Sequence, residues 1–510
     1  MTKSEMQSEP KHQRLQPAGG AGESGAGEGP VSATFELWTT RLLLLYFGLR
    51  LVFFALCLAP FVPPDEVSHA GLCKVFSTVF LLPDNGPGTY QYGLVTNIPW
   101  LYYWSMGKLL HLNIFGLPDL VFLRLLNIPL AFATVSFGMA TLRLVTGDRL
   151  TRLLLLVMLT NTAMFSLLSA SVSYDNLTNL LAVLAIYFTL AFYRRRSGSL
   201  LAGALLCQLA GCLTKVAVLP LALVLDLLLA FWALSRWRQT GAELRAYLTS
   251  RGHALWQVPL ILVLLGLNLQ LYGGNYLRFG TLVATMSKVL TPEISMQDRI
   301  GARENIFSLY ESDKISYMDA LQLAGEMKHP GDKSDTFFLL MNYQGLRANP
   351  KLWMGPLAYT GVWLQEMSST IFGIKSHLPM YKGTRYLVPV YLVLALALAG
   401  FLARWRPRHS GWLPGALALV ASCYALVLLV KVNYPAYTYY GTPGITLQGR
   451  YLFPVLVPIY LLVSRYLLEL SRAEGPRTVL ALATALLFIA YDFPWFLAHA
   501  GAQWYAWLPQ

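Results

Sequence analysis

The chain has 510 residues, 55% of them hydrophobic and only 13% charged. A water-soluble domain carries about 25% charged residues, so a soluble core cannot absorb this much apolar surface. The net charge of +13 comes without the basic-aromatic patches that nucleic-acid binding needs. None of the 5 cysteines forms a C-x-x-C pair, which argues against a zinc knuckle or a disulfide framework.

In chain order, residues 1–38 are rich in Gly, Ala, Glu and Pro and are expected to form a disordered cytoplasmic tail. The first apolar run, from Leu42, is too late and too long for a cleaved signal peptide and reads as a retained signal anchor. Runs long enough to cross a bilayer as helices then recur. The predicted spans are 42–62, 119–142, 151–170, 177–193, 199–215, 217–235, 255–272, 383–403, 412–432, 451–470 and 478–497. The fold class is therefore all-α, a polytopic membrane protein with about 11 transmembrane helices.

Basic clusters fall after alternate spans: RLVTGDRLTR, YRRRSGS, SRWRQTGAELRAYLTSRGH, ARWRPRHSG and SRAEGPRT. The positive-inside rule puts these loops and the N-terminus in the cytoplasm and the C-terminus outside. A module at 39–272 then carries an outer loop at 63–118, followed by an outer helical subdomain at 273–382 and C-terminal spans at 383–510. Within 63–118, NIPWLYYWSMGKLLHLNIFG is amphipathic and aromatic, and reads as a helix lying along the interface.

With this topology the costly polar groups gather on the outer face. FVPPDEVSHAG supplies Asp65, Glu66 and His69, SVSYDNL supplies Tyr174, Asp175 and Asn176, and CLTKVAV supplies Lys215. FGIKSHLP supplies Lys375 and His377, and LQGRYLFP supplies Arg450 and Tyr451. Arg124 lies near the outer end of the second span. Ionisable groups at a membrane edge are candidates for function. Each has a plainer reading. Pro-Pro-Asp-Glu is a good helix start, Asp175-Asn176 a cap, and Lys215 and Arg450 could snorkel to headgroups. Arg50 lies about 22 Å from Asp65 along a helix and reads as a packed or snorkelling residue. Asp65, Glu66 and His69 are the only metal-ligand candidates, so a divalent cation is allowed rather than required.

Taken together, outer cations suit a phosphate and an outer carboxylate suits a general base. No Walker motif is present, and nucleotide sugars are cytoplasmic, so an outward-facing transferase needs a membrane-borne donor such as a polyprenyl-phosphate sugar.

An acidic pair in the first outer loop, the aromatic LYYW segment, R-L-x-N and L-T-K resemble the GT-C glycosyltransferases, which use lipid-phosphate sugars. PPDEVSHA, SVSYDNL, LTKVA, FGIKSHLP and QGRYLFPVLVP resemble, over about residues 40 to 470, a bacterial family of membrane proteins of unassigned function allied to that class. TNIPWLYYW lacks the paired prolines typical of the class. The resemblance implies Asp65 or Glu66 as catalytic base, with Asp65, first after the prolines, preferred. It implies Lys215 and Arg450, with Tyr451, as holders of the donor phosphate. His69, Tyr174, Asp175, Asn176, Lys375 and His377 would contact sugar or acceptor. The implied partners are a polyprenyl-phosphate sugar, a glycan, lipid or protein acceptor, and membrane lipids. The implied location is the bacterial cytoplasmic membrane with the site facing the periplasm. Two alternatives stay open: a flippase or transporter of a lipid-linked glycan, and a ligase or polymerase using a lipid-pyrophosphate donor.

Overall fold

The computed structural model describes residues 31–250, 252–327, 330–375 and 378–509, so residues 1–30 of the expected tail lie outside the described residues. The chain is all-helical. Among the described residues, extended pairing is limited to two isolated bridges, Leu58 with Tyr505 and Ile374 with Met380.

The membrane helices and their connections, as far as the site requires them, are α1 Ala33–Cys57, α2 Glu66–Ser77, α3 Leu101–Leu110, α4 Asp119–Arg143, α5 Arg149–Thr160, α6 Ala163–Ser169, α7 Tyr174–Arg195, α8 Gly198–Thr214 and α9 Val218–Ser235. Further long apolar helices cover Ala254–Phe279, Thr384–Arg404, Leu413–Tyr440, Gly449–Leu468 and Glu474–His499. Among the described residues, 9 helices are long and apolar enough to span a bilayer, or 10 if the bent pair α5–α6 counts as one span. The protein is thus a multi-pass membrane protein, and each predicted span overlaps a helix, although α1 begins at Ala33, inside the expected tail, and ends at Cys57, short of the predicted end at Val62.

Two of those spans depart from a full straight helix. The fifth, α8, has 17 residues, about 26 Å at 1.5 Å per residue, short of a hydrocarbon core of about 30 Å. The third breaks into α5 and α6 with a bend of 66°. The sequence at the break is Thr160-Asn161-Thr162, and each side chain bonds back to the carbonyl four residues earlier: Leu156 at 2.7 Å, Val157 at 2.9 Å and Met158 at 2.8 Å. Such back-bonding competes with the helical ladder and bends it.

An interrupted helix at membrane depth needs replacement partners for its freed carbonyls. Arg50 of α1 supplies one, donating through Nη2 to the Thr160 carbonyl at 2.6 Å, and Ser166 Oγ donates to the same oxygen at 3.1 Å. Nη1 of Arg50 pairs with Asp492, which also accepts from Ser166 at 2.9 Å. Arg50 is 2% exposed, so it is packed in the bundle and does not snorkel.

The segment after α1 packs α2 against α3. Their contact is close enough that a Cβ at Gly107 would lie 2.6 Å from the Cys73 carbonyl, so only glycine fits there. Tyr102, Tyr103 and Met106 of α3 bury against Leu72, Cys73 and Phe76 of α2, with Leu120 and Leu123 of α4 completing the cluster. Phe80, Leu81, Ile114 and Phe115, in the segments flanking this pair, are strongly exposed, as suits a face resting on lipid. Between Arg299 and Ala348, helices share a separate core of Ala302, Ile306, Phe307, Ala320, Ala324 and Leu340, against which Tyr439 and Tyr440 pack.

Candidate active site

The site forms where α2, α3, the first turn of α7, the end of α8 and the QGRY turn converge. Pro63 and Pro64 end the excursion from α1, and Asp65 occupies the position that starts α2 with φ 60° and ψ 9°. A left-handed conformation is uncommon for a residue with a Cβ and costs of order 1 kcal/mol or more, and such strain clusters at functional positions. The sequence allowed a simple helix-capping role for this acid. Instead its side chain makes no capping bond to α2. It accepts from Arg450 Nη2 at 2.7 Å and keeps 35% exposure.

The neighbouring acid behaves differently. Glu66 receives Arg124 in fork geometry, Nε to Oε1 at 2.8 Å and Nη2 to Oε2 at 2.5 Å, and the Val172 amide donates to Oε1 at 2.9 Å. Arg124 also donates through Nη1 to the Ala55 carbonyl at 3.2 Å and the Leu58 carbonyl at 2.8 Å. Both side chains are fully buried. This pair ties the end of α1, the start of α2, α4 and the α6–α7 turn together, and Glu66 does not line the cavity that Asp65 lines.

Arg450 reaches the site because Gly449 lets the backbone pass Pro356–Phe372. A Cβ at Gly449 would fall 2.6 Å from the Met367 carbonyl, and the Gly449 amide donates to Thr370 Oγ1 at 2.7 Å. Arg450 is 2% exposed, with Nη1 lying 3.5 Å from Asp175 Oδ2. Among the described residues, its buried Nε and Nη1 make no hydrogen bond. Lys215, just past α8, donates to Asp175 Oδ1 at 2.5 Å. Its ammonium lies 4.6 Å from the Tyr174 ring centre and 5.0 Å from that of Tyr451. Ser173 caps α7, its Oγ accepting from the Asp175 amide at 3.2 Å, and also donates to Asp175 Oδ2 at 3.3 Å. Two acids and two cations thus form a chain, Asp65–Arg450–Asp175–Lys215.

Two adjoining cavities meet at this chain. One, of about 480 Å³, is walled by Lys215, Pro220, Tyr424, Val427, Leu428 and other largely apolar groups. The other, of about 500 Å³, is lined by Asp65, His69 and Arg450 and also by Gln297, Asp298 and Glu304. Tyr103, Tyr174 and Tyr451 line both.

His69 donates to or accepts from Tyr103 Oη at 2.8 Å through Nδ1, and packs edge-on to Tyr174. Burial lowers its pKa to about 4, so the ring is neutral at physiological pH. Because the folded pKa lies below the unfolded one, its burial stabilises the fold fully above the unfolded value. That contribution falls as pH drops toward 4.

Other predicted site residues lie elsewhere. Asn176 donates to Asn127 at 3.0 Å, the Leu168 carbonyl at 2.8 Å and the Ser171 carbonyl at 3.0 Å, and lines neither cavity. Lys375 donates to the carbonyls of Gly444 at 2.9 Å and Leu447 at 2.7 Å, bracing the turn that leads to Arg450. His377 lies outside the described residues. Asp65, Glu66 and His69 do not assemble a metal-ligand set: among the described residues no group of 3 His, Cys, Asp or Glu side chains does. Tyr103 lies in the LYYW segment already noted in the sequence, whereas Tyr424, Asp298 and Glu304 carry no such signal. Only packing brings their segments to the cavity.

No family model matches the chain, and no curated protein matches it. Among solved structures it is similar to ArnT from Cupriavidus metallidurans bound to undecaprenyl phosphate, at 14% identity and a TM-score of 0.35, covering 85% of this chain and 79% of that one. The apo state of the same protein gives 14% identity and a TM-score of 0.33, covering 85% and 78%. Likeness at this level leaves the chemistry of the site to the residues of the present chain.

Proposed function

We infer that this protein is a membrane glycosyltransferase. It moves a sugar from a polyprenyl-phosphate donor to a hydroxyl of an extracytoplasmic acceptor, at the outer face of the bacterial cytoplasmic membrane. One observation carries the reading: a cation pair, Lys215 and Arg450, stands at the junction of an apolar and a polar cavity, with a partly exposed carboxylate in the polar one.

In this reading the prenyl chain lies in the apolar cavity and the sugar and acceptor in the polar one. Asp65 takes the proton of the acceptor hydroxyl as its oxygen attacks the anomeric carbon. The bond from that carbon to the phosphate oxygen breaks, and the phosphate leaves with the electron pair. Direct displacement inverts the anomeric centre. Arg450 has two buried N–H-bearing atoms with no hydrogen bond among the described residues, and Lys215 adds a second charge. Positioned donors of this kind stabilise a departing anion. Asp175 orients both cations, and the Gln297–Glu304 wall contacts the acceptor.

Transport of a lipid-linked glycan would need a polar path through the bilayer. The cavity beside Lys215 is instead walled by Val216, Ala217, Val427, Leu428, Val432 and other apolar side chains, which favours a bound apolar chain there over passage of a glycan.

Donor binding tests the reading. Undecaprenyl phosphate titrated into purified protein should bind wild type, and Lys215→Ala should weaken it by ~10- to 30-fold, as expected for losing one charge-assisted contact of about 1.5–2 kcal/mol. Arg450→Lys, which keeps the charge but removes the fork, should weaken it comparably. Unchanged affinity in both variants would remove the phosphate site from the account. The same titration in chelator reports any divalent-ion requirement.

A further inference from the structure

At the opposite end of α7 from Asp175 lies a second cavity, of about 320 Å³, into which Arg194, Arg196 and Arg236 converge beside Tyr193 and Trp412. The two ends of this 22-residue helix are about 33 Å apart, so the cavity sits at the other membrane face. Among its described lining residues there is no acid. Arg196 is 7% exposed. Its Nη1 donates to the Trp232 carbonyl at 2.8 Å, and among the described residues its buried Nε makes no hydrogen bond. Arg194 and Arg236 are exposed. A buried guanidinium with an unused donor, flanked by two further cations, is expensive without an anion to face it.

The cavity does not stand alone. Trp412 also lines an apolar groove of about 510 Å³ between α9 and the helix Leu413–Tyr440. Leu227, Phe231, Leu419 and Trp232 wall it. A basic pocket opening onto a lipid-facing apolar groove is complementary to one kind of molecule, an anionic head carrying long apolar chains.

We propose that this pocket and groove hold a resident anionic glycerophospholipid, its phosphate on the arginines and a chain along the groove. Nothing in this assignment depends on the chemistry at the Asp65 end, so the two can fail separately. The headgroup would tie α7 and α9 to the start of the Leu413–Tyr440 helix, which also walls the apolar cavity at Lys215.

Native mass spectrometry of the purified full chain, after exchange against phosphatidylglycerol or phosphatidylcholine, tests this. Wild type should retain one phosphatidylglycerol and bind phosphatidylcholine about tenfold or more less well. The double variant Arg194→Gln, Arg236→Gln changes only exposed side chains and should lose that preference. Leu419→Trp, which fills the groove, should lower retention while the arginines remain. Equal binding of both lipids by wild type would overturn the proposal, as would undiminished phosphatidylglycerol retention in the double variant. Retention of undecaprenyl phosphate with exclusion of phosphatidylglycerol would overturn the assignment to a glycerophospholipid.

Discussion

Asp65→Asn should reduce transfer by ~10²- to 10⁴-fold in kcat, the range that a positioned general base contributes, while leaving undecaprenyl phosphate binding within about twofold of wild type. The substitution keeps an oxygen able to accept from Arg450, which wild type meets at 2.7 Å, and removes only the ability to take a proton. The readout is therefore a split: turnover lost, donor affinity and fold retained. A variant that lost both would assign Asp65 to holding Arg450 in place. The left-handed backbone at this position tolerates Asn as well as Asp, so the variant should fold.

Glu66→Ala should fail in the opposite way, by loss of the fold. Its carboxylate is the partner of a fully buried Arg124, and removing one member of a buried ion pair leaves the other charge uncompensated, at a cost of about 3–5 kcal/mol. The expected result is a large drop in thermal stability or in yield of folded protein, with Arg124→Ala giving the same phenotype. Replacing both residues by an apolar pair of similar volume should recover part of the stability, because the desolvated charges then disappear together. Normal stability with lost turnover in Glu66→Gln would instead make Glu66 the base.

The contrast between these neighbours shows where the sequence runs out. The spans were legible because bilayer thickness imposes a length and an apolar composition on each. The break in the third span was not, since Thr160-Asn161-Thr162 looks polar only over one short stretch, and its main external partner, Arg50, lies 110 residues away. Asp65 and Glu66 are adjacent, but Asp65 takes the left-handed position before α2 and Glu66 its first helical turn, so their side chains part. Which of them meets Arg124 and which meets Arg450 depends on contacts separated by 58 and 385 residues. The same holds for Asp175 and Asn176: the first meets Lys215 and Arg450, the second turns back to the carbonyls of Leu168 at the end of α6 and Ser171 in the turn. Charge and topology could place these residues near one membrane face. Only the packing of α2, α4 and α7 could separate the side chains that hold the turn from those that face the cavity.

The most direct measurement is turnover by the purified protein on a panel of polyprenyl-phosphate sugars, with a mixed acceptor fraction from the cell envelope and Asp65→Asn alongside. At least one donor should lose its sugar, by transfer or by slow hydrolysis, with release of polyprenyl phosphate and inversion at the anomeric carbon. Asp65→Asn should lower this rate by ~10²- to 10⁴-fold while still binding the lipid phosphate. Full activity in Asp65→Asn, or donor consumption with retention at the anomeric carbon, would contradict this mechanism.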